Sequence, residues 1–182
     1  MSAIAKTSVR RIAQTARRQI NGELLESYQI ISEDDPLWSQ AWAVLRDNFD
    51  EDGLASEEWL KGKVFEPNSL YFLIVVVVVA TKRVIFAYTL SRFADTTWGL
   101  HDFMATAKDK QFQQLTLGIL TQTDLWLDVY EQTGITMAFS EIEHPETAAT
   151  EAEYRERVRR LRFLLFIGWL PLDFEYLQPS CV

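Results

Sequence analysis

Leu70-Tyr-Phe-Leu-Ile-Val-Val-Val-Val-Val-Ala80 is an unbroken apolar run, followed by Thr81-Lys82-Arg83 and a second run, Val84-Ile-Phe-Ala-Tyr-Thr-Leu90. Five successive valines are stiff at χ1 and pack best on a pleated surface, so the first run predicts a strand buried on both faces. It falls well short of the roughly 20 residues a membrane-spanning helix requires, and no other segment is longer, so no transmembrane segment is expected. The polar interruption reads as the turn of a β-hairpin, although it lacks an Asn-Gly or Asp-Gly pair.

A sheet buried on both faces needs helices to cover it. Upstream, Glu26–Ser32 reads as a short strand. Asp34-Asp35-Pro36 reads as a helix start, with Asp35 as the cap and an apolar stripe of Leu37, Trp38, Ala41, Trp42, Leu45 and Phe49. Ser56-Glu57-Glu58-Trp59-Leu60 predicts a second helix that stops near Gly62. Downstream, the pattern predicts a strand over Trp98–Thr106, a helix over Gln111–Gln132, a strand over Gly134–Ile142 and an amphipathic helix over Glu151–Ile167. Extended segments over Gly168–Pro179 complete a mixed central sheet flanked by helices.

The chain has 182 residues with 18 Lys+Arg against 26 Asp+Glu, a net charge of -8. That charge is unevenly placed. Residues 1–22 hold Lys6, Arg10, Arg11, Arg17 and Arg18 and no acid, so the rest of the chain is strongly acidic. An acidic body repels nucleic acid and anionic membrane, which excludes both as partners except through the basic segment. Within it Val9, Ile12, Ala13, Ala16 and Ile20 recur at helical spacing, and Asn21-Gly22 reads as a helix stop. Residues 1–22 therefore predict a basic amphipathic helical arm, and 23–182 the domain. Such an arm suits a transit segment, an anionic-surface binder or a docking arm. A single cysteine, Cys181, excludes a disulfide framework and a multi-cysteine zinc site, and two histidines leave no His-rich metal centre. The expected compartment is the cytoplasm.

This order of elements resembles the GNAT acyltransferase superfamily over about residues 26–179. Two segments carry the likeness: Asp102-Phe-Met-Ala-Thr-Ala-Lys-Asp-Lys-Gln-Phe-Gln-Gln-Leu-Thr-Leu-Gly-Ile-Leu120, at the family's strand, pyrophosphate loop and helix, and Arg160-Leu-Arg-Phe-Leu-Leu-Phe-Ile-Gly-Trp169, at its late helix. The C-terminal Asp173-Phe-Glu-Tyr-Leu-Gln-Pro179 resembles a closing strand of bacterial members. The resemblance implies an α/β fold and an N-acyltransferase that uses acetyl-CoA or a longer acyl-CoA, or another phosphopantetheine carrier, to acylate an amine substrate.

The resemblance also assigns residues. Strand amides at Met104, Ala105 and Thr106 would bind the pantetheine, and Gln113, Gln114, Leu115 and Thr116 would line the pyrophosphate. Family members cradle that group with Arg-Gly-x-Gly-x-Gly, whose glycines let backbone N–H groups approach closely. Here Gln111 stands for the Arg, and Phe112, Gln114 and Thr116 stand for the glycines. Lys108 and Lys110 flank the loop as point charges. The family's acid, a Tyr on the late helix, is replaced by Leu164, with Tyr176 as a substitute donor. Glu141 and Glu143 alternate on one predicted strand and would share a face, where a carboxylate can take the acceptor's proton. His101 and Asp102 are adjacent on a strand and point to opposite faces, so they do not line one site.

A second reading follows from the same departures: a catalytically silent module of this fold that works through a protein partner or homo-oligomer, burying Phe112 or Leu164–Ile167. The block Glu151–Arg162 reads as a solvated face with local ion pairs, or as a phosphate-binding face. The four apolar residues Leu164–Ile167 need a cover, which the chain itself, another subunit or an acyl chain would supply.

Overall fold

In a computed structural model, the structure describes residues 9–11, 18–20, 22–50, 53–109, 112 and 123–172. The chain divides into two compact units, Met1–Glu141 and Ile142–Val182.

The valine run is the centre of the first unit. It forms β4 (Tyr71–Val78), in which every residue from Leu73 to Val78 is buried, and pairs antiparallel with β5 (Arg83–Arg92). The connection holds four residues, and Lys82 takes φ +56° while its N–H bonds the Val78 carbonyl at 2.8 Å. A left-handed Lys does here what Gly or Asn does in shorter turns. β3 (Glu23–Ile30) pairs antiparallel with β4 on the other side, and β6 (Trp98–Thr106) pairs antiparallel with β5. β7 (Met137–Ser140) adds to β6 as the sheet's parallel pair.

The basic segment corrects the sequence reading. Val9–Arg11 (β1) and Arg18–Ile20 (β2) are strands, not helix, and both pair antiparallel with β3. A sheet edge offers partners for backbone groups that an isolated short helix leaves to water, and Val and Ile are weak helix formers. Ile20 pairs with Glu23 and Gly22 has φ +86°, the geometry of a hairpin connection and not of a helix end. Residues 1–8, 12–17 and 21 lie outside the described residues. The full order is β1-β3-β4-β5-β6-β7, with β2 also on β3.

α1 (Trp38–Arg46) and α2 (Glu57–Phe65) pack on one face of this sheet through Trp38, Ala41, Val44, Leu45, Leu60 and Val64. Asp35 caps the turn before α1, accepting the Leu37 N–H at 2.7 Å, so the helix starts slightly later than Pro36 suggests. α2 does not stop at Gly62. A Ser56 cap on the Trp59 N–H (3.2 Å), a Lys61–Glu57 pair (2.9 Å) and buried Leu60 and Val64 outweigh the roughly 1 kcal/mol a helical glycine costs. α3 (Thr123–Thr133), the described part of the expected helix 111–132, ends at Gly134, φ +70°.

The second unit begins past the sheet with a 3-10 turn, Pro145–Thr147, and α4 (Glu151–Phe166). Thr150 Oγ1 accepts the Glu153 N–H at 3.2 Å and the Glu153 carboxylate accepts the Ala149 N–H at 2.8 Å, a reciprocal cap. The charged block is mostly a solvated face with local pairs, Arg155–Glu151 at 2.9 Å and Arg159–Glu156, as its pattern predicts. Arg157 departs from it: it is buried, pairs with Glu153, and donates to the His144 carbonyl (3.0 Å) and Thr147 Oγ1 (2.6 Å). Among the described residues no helix is long and apolar enough to cross a membrane.

Candidate functional site

The pairing of β6 with β7 runs from Trp98/Met137 to His101/Ser140 and stops. β6 continues to Thr106 while β7 ends at Ser140, so the edge of β6 from Asp102 to Thr106 is unpaired on that side among the described residues. The Ala107 N–H bonds the Ile85 carbonyl at 2.9 Å, which fixes the alternation of the β5 ladder. Ala105, paired with Ala87, therefore directs its backbone groups into the sheet, while Met104 and Thr106 turn theirs to the open edge. Asn48 Nδ2 closes part of that edge by donating to the Thr106 carbonyl at 2.9 Å.

A bulge shapes the start of the opening. Tyr88 pairs with Met104 but Leu90 with His101, so Asp102 and Phe103 together oppose Thr89. The Phe103 N–H freed by the irregularity donates to Thr89 Oγ1 at 3.0 Å. Tyr71 donates its hydroxyl to the same oxygen at 3.2 Å. Register puts Tyr71, Ser91, Leu100 and Asp102 on one sheet face, the one α1 and α2 cover.

Asp102 is the unusual member. It is half-buried in a strand end otherwise made of apolar or small residues, and its Oδ2 is sealed from solvent without a hydrogen bond. Burial pushes its carboxyl up to about 6. The hydroxyls of Tyr71 and Ser91 beside it pull the other way, and the Glu141 charge adds to the rise. The negative charge of Glu141 thus makes ionisation of Asp102 harder. The Tyr71 hydroxyl is itself raised, by burial and by the Asp102 charge, and keeps its proton at neutral pH. The available signal for Asp102 was a carboxylate inside Gly99-Leu-His-Asp-Phe-Met-Ala105, where a strand buried on one face has little use for it.

The other face of β6 is structural. His101 is buried, its Nε2 lies 3.0 Å from the Tyr130 hydroxyl, and it packs edge-on against Trp126 with Tyr88 beside it. Burial lowers its pKa to about 4, so it is neutral. His101 and Asp102 do face opposite ways.

The two glutamates expected to share a strand face lie past the end of β7. β7 ends at Ser140, so no strand alternation joins Glu141 and Glu143. Glu141 lies in the first unit and is exposed, within the electrostatic reach of Asp102. Glu143 lies in the second, 3.4 Å from Arg157 and 3.8 Å from Arg160. Tyr176 and Gln113, Gln114, Leu115 and Thr116 lie outside the described residues. Phe112, at the first glycine position of the expected cradle, is buried within this chain, and the Arg83 guanidinium stacks over its ring at 4.7 Å while pairing with Asp109. Phe112 therefore needs no partner chain to cover it. Among the described residues no group of His, Cys, Asp and Glu is arranged to hold a metal ion.

An α/β mixed sheet with a short parallel pair at its edge and flanking helices is a GNAT-like fold, and solved structures of GNAT-family acetyltransferases are its structural neighbours. A Bacteroides thetaiotaomicron protein described as a GNAT-family acetyltransferase superposes with a TM-score of 0.60 at 16% identity, over 85% of this chain and 77% of that one. An aminoglycoside acetyltransferase from an uncultured soil metagenomic sample gives 0.54 at 10% identity, over 85% and 97%. A Trypanosoma brucei acetyltransferase gives 0.50 at 15% identity, over 85% and 99%. No protein-family model and no curated protein matches the sequence.

Proposed function

We propose that the chain is an N-acyltransferase in which an amine acceptor is acylated from an acyl thioester of coenzyme A or another phosphopantetheine carrier at the splay between β6 and β7. The observation that carries this reading is Asp102: a half-buried carboxyl with a pKa of about 6, at the mouth of an opening whose other side is an unpaired strand edge. A base poised near the working pH is ionised and still holds a proton well, which suits general-base catalysis. The outward N–H groups of Met104 and Thr106 fit a pantetheine laid along the edge in the manner of an added strand. Asp102, with Glu141 beside it, takes the proton from the ammonium form of the acceptor. The freed amine nitrogen forms the C–N bond to the thioester carbon, the C–S bond breaks, and the nitrogen's second proton passes to the departing thiolate, while the first stays on the carboxylate until solvent takes it. A second reading, the silent module acting through protein contacts, is favoured by one observation: buried Phe112 with Arg83 over it stands where the family has a glycine.

Calorimetry with acetyl-CoA and a long-chain acyl-CoA, followed by detection of free thiol with an amine present, separates the two. The acyltransferase reading expects binding by both wild type and Asp102→Asn, with thiol release about 10²- to 10⁴-fold slower in the variant. No binding of either thioester at millimolar concentration overturns it in favour of the silent module.

A further inference from the structure

The second half of α4 differs from the first. From Arg157 to Leu172 the chain holds four arginines and no acid. Within that stretch Leu165, Phe166, Leu170 and Leu172 are exposed, Phe166 at 77% and Leu170 at 84%. A lone exposed leucine is ordinary on a protein surface, but large apolar side chains gathered this closely mark an interaction site. Arg155, Arg159, Arg162 and Phe166 recur at helical spacing and are all exposed, so they share one outward face. Arg155 and Arg159 pair with Glu151 and Glu156 of their own helix in solvent, which holds them weakly. Arg162 forms no ion pair among the described residues.

The first unit carries the opposite pattern on α3. Asp124, Asp128 and Glu131 are its charged residues, and positions 124, 127, 128 and 131 share one side of the helix. That side is open: Glu131 is exposed, Asp128 half-buried, and Leu127 60% exposed. The chain leaving α3 enters β7 at Met137, which pairs with Trp98, and both are 50% exposed. An open hollow lined by Arg92, Asp95, Thr96, Thr97 and Trp98 lies at the same end of the sheet.

We infer that the chain forms a two-fold dimer in which α4 of one copy lies along α3 of the other. The charges on both helices are spaced four positions and then three. A parallel alignment therefore sets positions 155, 159 and 162 of one copy against 124, 128 and 131 of its partner. The same alignment carries Phe166–Leu172 past the end of α3, towards the exposed Trp98 and Met137, where burial of apolar surface adds to the charge pairing. In a closed two-fold pair this contact is made twice, so two small faces combine into one interface. The charges select against the alternatives. α4 against a second α4 sets arginine against arginine, and an anionic membrane meets the acidic remainder of the chain. Of the covers that the apolar pattern of Leu164–Ile167 calls for, another subunit is the one these charges fit. The inference is independent of whether the chain transfers acyl groups.

Sedimentation velocity of the full chain tests it. At about 100 µM chain and about 50 mM NaCl a dimer is expected, weakened at about 500 mM NaCl, where exposed charges are screened. Arg162→Glu and Glu131→Arg, both at exposed positions, are each expected to raise the dissociation constant about tenfold or more. The two reversals in one chain restore the opposite signs and are expected to return the constant to within about threefold of wild type. Phe166→Ser is expected to weaken the dimer at both salt concentrations. Circular dichroism of each variant verifies that it is folded. A wild-type monomer at about 100 µM overturns the inference. So does a dimer that neither reversal weakens, or one that the double variant fails to restore. A monomer that binds vesicles of phosphatidylserine and phosphatidylcholine, and loses them on Arg162→Glu, overturns it in favour of a lipid surface.

Discussion

Asn at position 102 should make the protein more stable at neutral pH while removing its chemistry, and the pH dependence of that gain is calculable. Burial raises the Asp102 carboxyl from its ordinary 3.8 to about 6, with the Glu141 charge adding to the rise. A folded-state value above the unfolded one means that the folded protein holds the proton more tightly. The resulting stabilisation is complete below 3.8 and is lost as pH rises through 6. At about 1.36 kcal/mol per unit, ionised Asp102 at pH 7.5 costs the fold at most about 3 kcal/mol, and partial contact with solvent brings the working figure to roughly 1–3 kcal/mol. His101 acts in the opposite sense. Burial lowers it from 6.5 to about 4, so its contribution is complete above 6.5 and is lost as pH falls towards 4. The two slopes overlap between about pH 4 and 6 and largely cancel each other. Asp102→Asn removes one slope and exposes the other. The variant should exceed the wild type by roughly 1–3 kcal/mol at pH 7.5, or about 2–10 °C in Tm, and lose that advantage by about pH 4. Urea unfolding of both proteins across that range, followed by tryptophan fluorescence, reads it directly. A variant less stable than the wild type at pH 7.5, or a difference that does not change with pH, refutes the reasoning.

Other consequences are independent of that pair. Tyr71→Phe removes a hydroxyl that donates to Thr89 and partly offsets the rise at Asp102. It should cost about 1 kcal/mol in urea unfolding and move the Asp102-linked transition to higher pH. Gly99→Ala puts a Cβ 2.7 Å from both Ile135 Cδ1 and the Ser91 carbonyl oxygen, and the backbone oxygen cannot yield. Thermal unfolding should show a loss of about 1–3 kcal/mol, with Gly62→Ala, whose Cβ meets nothing within 4 Å, as a neutral or stabilising control. Arg157→Met should speed hydrogen exchange about tenfold over residues 143–157, which Arg157 ties together through Glu143, His144, Thr147 and Glu153, with no change in β4 and β5.

The sheet was legible where local chemistry and tertiary position agree. A valine run has no good alternative to a covered strand, and Trp98–Thr106 emerged with the bounds its alternation predicts. The basic segment misled because its apolar positions fit a helix over a window much longer than the three-residue strands it forms, and because Asn-Gly both stops helices and turns hairpins. What decided the matter was the open edge of β3, which no local pattern carries. For the proposed site, the sequence offers Met104, Thr106 and Glu141, but placing Glu141 and Glu143 on one strand face assumes that β7 continues past Ser140. Asp102 became a candidate through the bulge that sets it and Phe103 together against Thr89, a register irregularity that depends on a partner strand. Phe112 was read as a surface in need of a partner; its ring is instead covered at home, with Arg83 on it.

The most direct test of Asp102 as the base of an acyl transfer is the pH–rate profile of thiol release from acetyl-CoA and a long-chain acyl-CoA, with a primary amine as acceptor, for wild type and Asp102→Asn. A carboxylate must be ionised to take a proton, so the wild-type kcat/KM should rise with an apparent pKa of about 6. The variant should lose that limb and about 10²- to 10⁴-fold in rate. A variant with the wild-type rate and the same limb near pH 6 would contradict the assignment.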